Sequence, residues 1–407
     1  MNSESYTRKA DTYLDTLCGV RPNRRTGSPG NRRATDFFTA TIGAFGYEID
    51  ATPFETLDHI NEGASLSIGA ADFEVLTSPY SLGCDVTARL VAASTVEALG
   101  RTECGGQILL LHGPICAEQL MPKNFVFYNP EHHQQLIALL ESKRPAAIIT
   151  ATERSPDQVG ALYPFPLIVD GDFDIPNVHC RDTVGRALAE RQGDLAHLAI
   201  KARRLPARAS NVIATLNGRA ARKVLLTAHI DAYEDTPGAS DNASGTAVLL
   251  LAAEMLADYR GPYALEIVAL NGEDHYSAGG QMDYLRRYGQ ALPSVHLAVN
   301  VDDVGYKEGR AAYSFYKCPQ PVQQKAQQAF LDHPGLCPGE PWYNGDHMIF
   351  VMNQVPAIAF TAERMPELMR TVTHTAADTP DLIDTRKLVE VAAALNALVR
   401  ALSQPES

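Results

Sequence analysis

Apolar and polar positions follow two rhythms along this chain. The run Val224-Leu225-Leu226-Thr227-Ala228 is continuous and apolar, the pattern of a buried strand, and it delivers His229 and Asp231 where the sequence turns polar. Similar runs predict strands over 263–270, 295–301 and 357–361, interleaved with helical patterns over 244–259 and 277–288. A helix over 385–402 follows, with Leu388, Val391, Ala392, Leu395, Leu398, Val399 and Leu402 at helical spacing. Such alternation predicts an α/β fold built on a mixed, mostly parallel sheet sandwiched by helices. The strands 209–216 and 223–228 are expected to form a hairpin through a connection that opens with Asn217-Gly218, a favoured turn pair. Nearer the N-terminus, helices over 4–18 and 32–45 flank the turn-rich cluster Arg21 to Asn31, and a strand over 47–54 follows.

From about Leu57 to Leu205 the texture changes. Short strands over 64–68, 107–112, 146–150, 167–170 and 198–202 are separated by Gly, Pro and Asp, with one helix over 130–142. This reads as a β-rich, barrel-like module with its own core, inserted at 56–205 into a domain made of 1–55 and 206–407. His132 and His133 open the predicted helix and are expected to be a solvated helix start, because adjacent helical positions do not share a face.

The length of 407 residues suits two domains or one domain carrying an insertion. A formal charge of -13 argues against nucleic acid or an anionic membrane as the main partner. The sequence offers neither a basic segment followed by an apolar one at its start nor about 18 consecutive apolar residues, so a cytoplasmic protein is expected. The seven cysteines are odd in number, scattered and without a Cys-x-x-Cys pair, which points to reduced structural thiols.

Chemistry gathers at the carboxyl ends of the predicted strands, where ligands of open α/β sheets sit. One strand supplies His229 and Asp231, the next is followed by Glu273-Asp274, and the third by Asp302-Asp303. Asp241 is expected at a helix start facing the same crevice, and His374 lies in the loop before the final helix. Histidines with carboxylates and no thiolate form the donor set of hydrolytic zinc. Two metals sharing a bridging carboxylate would use five such ligands, and the expected assignment has His229 and Asp302 on one, Asp274 and His374 on the other, and Asp241 bridging. Glu273 is left to act as general base on a water between the metals, and Asp231 to orient His229 from the outer side. Each acid alone is as well explained as a cap or turn residue. Their joint placement at strand ends is not.

The pieces HID, GASDNASG, GED, NVDD and HTAADTPDLID resemble, in order and context, the di-zinc aminopeptidase family, whose relatives include glutamate carboxypeptidase, glutaminyl cyclase and transferrin receptor. RTGSPGN and GDHMIFVMNQVPAIAF are similar to the same family, so the resemblance spans 1–55 and 206–407. The segment between them resembles a protease-associated domain. The resemblance implies two Zn2+ on His229, Asp241, Asp274, Asp302 and His374, with Glu273 as base and Asp346-His347 near the substrate. Two departures stand out. Asp274 occupies a position where the family usually has Glu, and Thr373 precedes the last ligand where Tyr is frequent, leaving Tyr343, Tyr276 or His347 as alternative oxyanion donors.

The implied activity is removal of N-terminal residues from short peptides, with no nucleic acid or membrane partner and with a homo-oligomer left open. Carboxypeptidase or N-acyl amino acid amidohydrolase activity is the nearest alternative. It needs a cationic clamp for the substrate carboxylate, for which Arg286, Arg310, Arg364 and Arg370 are available. A glutaminyl-cyclase-like acyl transfer or a noncatalytic binding role would better suit a reduced ligand set.

Overall fold

A computed structural model describes residues 3–155 and 160–404. The chain divides into two compact units, Met1–Thr56 with Arg208–Ser407, and Leu57–Ala207.

The first unit holds strands β1 (Glu48–Asp50), β2 (Val212–Leu216), β3 (Lys223–His229), β4 (Ala264–Leu270), β5 (Val295–Val301), β6 (Ala311–Tyr316), β7 (Leu336–Pro338) and β8 (Ala357–Ala362). They form one eight-stranded sheet in the order β1-β2-β4-β3-β5-β8-β6-β7. The four central strands β4, β3, β5 and β8 run parallel. Antiparallel pairing joins β1 to β2, β2 to β4, and β6 to β8. The sheet is thus mixed with a parallel centre, as the alternation of elements predicts.

Helices α1 (Ser3–Cys18), α2 (Pro29–Gly43), α3 (Gly245–Met255), α4 (Gly279–Tyr288), α5 (Gln320–Phe330), α6 (His347–Val351), α7 (Met365–Thr371) and α8 (Thr385–Leu402) complete the unit. Alternate residues of the parallel strands, among them Val224, Leu226, Ala228, Ile267 and Val299, share one core with α1, α3 and α8. The predicted stripe of α8, from Leu388 to Leu402, is buried there. Gly245 to Ala253 of α3 are all buried, as expected of a helix that is apolar all round. The opposite face of the sheet, with Leu225 and Thr227, is covered in part by α6, which packs on β5 and β8.

The hairpin expected between 209–216 and 223–228 does not form. β2 pairs with β4, which therefore lies between β2 and β3. β3 has no polar alternation and is buried along almost its whole length, so it gains more from parallel neighbours on both edges than from an antiparallel partner. The predicted strand 209–216 also breaks at Asn211, whose side chain leaves the ladder pattern: its Oδ1 accepts the Asn271 N–H at 2.9 Å and its Nδ2 donates to the Gly280 carbonyl at 2.8 Å. The second predicted helix starts earlier than its apolar stripe suggests, at Pro29. Ser28 caps it, its hydroxyl accepting the Asn31 N–H at 3.0 Å.

The second unit carries its own sheet, in the order 71–73, 53–68, 195–210, 84–93, 108–112, 147–152, 177–181 and 76–77. Its two edge strands are close neighbours in sequence, so the sheet curls back on itself. Apolar clusters occupy both faces, one around Leu109, Leu111 and Leu140, the other around Leu110, Ile149 and Leu198. The strand expected at 167–170 is reduced to a single bridge between Leu120 and Ile168. The helix Glu131–Lys143 corrects the reading of its two histidines. His132 is solvated, but His133 is buried, and both ring Nε2 atoms approach Glu118 Oε1, at 3.0 and 3.2 Å. Glu118 comes from a different segment, so the helix sequence alone could not reveal it. His133 Nδ1 accepts the Met121 N–H at 3.2 Å, which leaves the neutral ring's proton on Nε2, facing the carboxylate. A ring held in that tautomer presents an N–H rather than a lone pair toward Glu118, and so is not a metal ligand.

Gly245 sits where α3 passes the end of β5. A Cβ there would lie 2.3 Å from the Val301 carbonyl oxygen and 2.3 Å from Asn242 Oδ1. Gly245→Ala is expected to destabilise the chain by about 1–3 kcal/mol, the range for overpacking a filled site. Chemical denaturation against the wild type measures it.

Candidate metal centre

Each element of the site arrives at the carboxyl edge of the parallel strands. β3 ends on His229, and the Ile230 N–H donates to the Leu270 carbonyl at 2.8 Å, holding the ends of β3 and β4 level. Beyond β5, the Asp302 N–H donates to the Phe360 carbonyl at 3.0 Å, fixing it against β8. Asp241 does not stand at the start of a helix. It lies in an irregular buried turn, Ala239–Ser244, with φ -110° and ψ 90°, and α3 begins only at Gly245. The preceding Gly238 has φ +60°, and a Cβ on it would meet Asp241 O at 2.6 Å and Arg24 Nη2 at 2.8 Å. Arg24 is buried and donates to four backbone carbonyls, of Leu17, Ile230, Pro237 and Gly238. The N-terminal turn cluster is therefore tied into the segments that carry His229 and Asp241.

Five side chains converge. His229 Nε2 lies 3.0 Å from Asp241 Oδ1 and 3.3 Å from Asp302 Oδ1. His374 Nε2 lies 3.1 Å from Asp241 Oδ2 and 2.9 Å from Asp274 Oδ1. Asp241 thus offers one carboxylate oxygen to each imidazole, and a second carboxylate, Asp302 or Asp274, flanks each pair. Donor atoms around a tetrahedral ion at 2.0–2.1 Å are about 3.3 Å apart, close to these spacings. Among the described residues His229 Nε2, Asp274 Oδ2 and Asp302 Oδ1 are buried without a hydrogen bond of good geometry. Buried polar atoms are rarely left so, and cations among them would satisfy all three. The residues present therefore fit divalent metal.

Asp231 is fully buried behind His229, its Oδ1 3.6 Å from the ring Nδ1. Its oxygens accept the backbone N–H groups of Glu273 and Asp274 at 3.4 and 3.2 Å and the Thr26 hydroxyl at 2.9 Å. One carboxylate so aligns the His229 ring and the turn carrying Glu273 and Asp274. Burial, with the charges of Asp274, Asp302 and Asp346 added, raises the Glu273 carboxyl well above its usual range, and the His229 charge opposes them. Burial also disfavours charge on the two imidazoles, but the surrounding carboxylates outweigh it and both are raised well above the ordinary histidine value. The site is strongly anionic, with demand for positive charge at its centre.

The residues expected near a substrate are placed unevenly. Asp346 is buried, accepts the Gln281 amide at 2.9 Å, and is pushed up to about 7 mainly by burial. His347 is enclosed between Trp342 and Tyr316, and its Nε2 proton goes to the Trp342 carbonyl at 2.9 Å. Burial holds it down to about 4, so it is a neutral ring with that donor already committed. Tyr343 is 65% exposed and stands edge-on to Tyr316. Tyr276 lies against the ring of His275. Besides Arg24, two contributors escaped the sequence reading. Tyr233 stacks flat on His374, with ring centroids 4.5 Å apart, and Asp378 bonds the backbone of Ser240 and Asp241. The signal for Tyr233 was its position just beyond His229, but a stacking partner from another loop has no sequence spacing.

Known proteins carry the same arrangement of elements. Residues 211–399 match Peptidase family M28. A probable lipoprotein aminopeptidase, LpqL, of Mycobacterium tuberculosis is 26% identical over 293 residues, 69% of this chain and 54% of that protein. An aminopeptidase of Pseudomonas aeruginosa is 25% identical over 58% of this chain and 45% of its own length. The chain thus spans about half the length of the curated relatives it matches. Among solved structures, the aminopeptidase from Aneurinibacillus sp. strain AM-1 superposes with a TM-score of 0.74 at 22% identity, covering 100% of this chain and 97% of that one. A zinc aminopeptidase from Bacillus subtilis gives 0.75 at 18% identity, covering 98% and 96%. Over 211–399 the chain is thus similar to peptidase family M28, and it shares the fold of these zinc aminopeptidases.

Proposed function

We propose that the chain is a metal-dependent aminopeptidase acting on short peptides. The observation that carries this reading is the Asp241 carboxylate, with one oxygen toward His229 and the other toward His374. His229 and Asp302 would hold one Zn2+, and Asp274 and His374 the other, with one Asp241 oxygen available to each. A bound metal pair supplies Lewis acidity, lowering the pKa of the attacking water and polarising the scissile carbonyl. Glu273 takes the proton from that water and delivers it to the leaving amine nitrogen. Its raised affinity for a proton suits a group that must first accept and then give one near neutral pH. Asp231 keeps Glu273 and His229 in register through the contacts already described.

The direction of attack is read from the charges. The crevice is lined with carboxylates, which favour a free α-ammonium group. Three of the four arginines considered as clamps for a substrate carboxylate are taken by other acids: Arg286 by Asp283, Arg310 by Glu363 and Arg364 by Glu367. That occupancy supports an aminopeptidase over a carboxypeptidase. The inserted segment, 56–205 by its sequence texture, is proposed as a protease-associated-like domain. A cytoplasmic setting belongs to the same proposal, supported by seven unpaired cysteines. Among the described residues no helix is long and apolar enough to cross a membrane.

Metal analysis of the purified chain should give two zinc ions per chain. Glu273→Gln should keep both while turnover falls about 10²–10⁴-fold, the usual contribution of a positioned acid–base group. Loss of metal in this variant would make Glu273 a ligand and refute its assigned role. Aminoacyl amides and short peptides with a free N-terminus should be cleaved, and their N-acetylated forms left intact. Hydrolysis confined to the blocked forms would overturn the aminopeptidase reading in favour of an amidohydrolase.

A further inference from the structure

The turns bearing Asp241 and His374 are distant in sequence, yet one carboxylate joins them. Asp378 has no exposed surface. Its Oδ1 accepts the Ser240 N–H at 2.7 Å and its Oδ2 the Asp241 N–H at 3.1 Å, while its backbone carbonyl accepts the Ala239 N–H at 3.2 Å. A carboxylate that accepts two successive N–H groups fixes the peptide planes on both sides of Ser240, and so the direction in which the Asp241 side chain leaves the backbone. Asp378 is itself anchored to the turn of His374, since its N–H donates to the Thr375 carbonyl at 3.1 Å and the Thr375 N–H to the Val372 carbonyl at 3.0 Å. On the other side of the same segment, Arg24 holds the carbonyls of Pro237 and Gly238. The backbone leading to Asp241 is thus gripped by an anion on its N–H groups and a cation on its carbonyls.

We propose that Asp378 is the positioning residue for the bridging carboxylate: it locks the Asp241 turn to the His374 turn and thereby sets the affinity of the chain for its metal pair. This rests on the dinuclear reading given above. The predicted consequence separates positioning from mere support of the fold. A residue that only supports the fold lowers the stability of metal-free and metal-loaded protein alike. A residue that presets ligand geometry reduces the extra stability that metal confers, because that increment depends on free metal relative to Kd.

The test uses the full chain stripped of metal, comparing wild type with Asp378→Asn, which keeps the size but loses one acceptor, and Asp378→Ser, which is smaller and uncharged. Zinc affinity is measured by competition with a chromogenic chelator, and melting is followed with and without zinc. Both variants are expected to bind zinc about 10–100-fold more weakly, as is usual when a group supporting a metal ligand is removed. The rise in Tm on adding zinc should shrink in parallel. If either folded variant keeps wild-type zinc affinity and the full zinc-dependent rise in Tm, the proposal is overturned, even where that variant melts lower without metal. A wild-type chain that binds no zinc would overturn the dinuclear reading and this proposal together, an outcome distinguishable from the first because it appears before any substitution is made.

Discussion

Negative charge confined to a small buried volume is the constraint on which this structure depends. Asp231, Asp241, Glu273, Asp274 and Asp302 meet around two imidazoles at the carboxyl edge of the parallel strands. Carboxylates so placed repel one another and lack water to screen them. Burial and mutual repulsion push several of them toward protonation, while Asp241, between two imidazoles, is held low. Such a cluster is costly in any fold that has no cation to place in it. A site that concentrates unpaired ligand atoms in this way is built for divalent metal.

The rest of the unit can be understood as the support this cluster needs. Parallel β3, β4 and β5 end level, so the residues that follow them diverge around a common crevice. Buried backbone anchors then set each side chain. Arg24 reaches from the N-terminal turn cluster to the segments around Ile230 and Gly238, and Asp231 receives the N–H groups of Glu273 and Asp274. The Tyr233 ring lies flat on His374. None of these groups needs to touch a substrate to matter, since each fixes the angle at which a ligand-bearing segment leaves the sheet.

Two residues depart from the pattern of the resembled family, Asp274 and Thr373. The shorter Asp274 still reaches the His374 ring, at 2.9 Å, because its backbone N–H is held by Asp231. Thr373 is buried, and among the described residues its hydroxyl has no hydrogen-bond partner. His347, the nearest neutral ring in sequence to the Asp346 carboxylate, has its one ring proton engaged by the Trp342 carbonyl.

By itself the sequence determined everything that depends on local periodicity and on residue type. The apolar runs marked the parallel strands, the stripe from Leu388 to Leu402 marked the last helix, and the polar ends of the strands located His229, Glu273, Asp274 and Asp302, because strand ends are where chemistry and solvent meet. Only the tertiary structure decided what depends on contacts between distant segments. It put β4 between β2 and β3 in place of a hairpin, since a strand buried on both faces needs two neighbours. It moved Asp241 off the helix into an irregular turn, buried His133 against Glu118, and brought Arg24, Tyr233 and Asp378 to the metal centre. Those last contacts are made to backbone groups or to ring faces. Neither carries a signature in sequence spacing, because any residue supplies the backbone and only the completed fold brings it within reach.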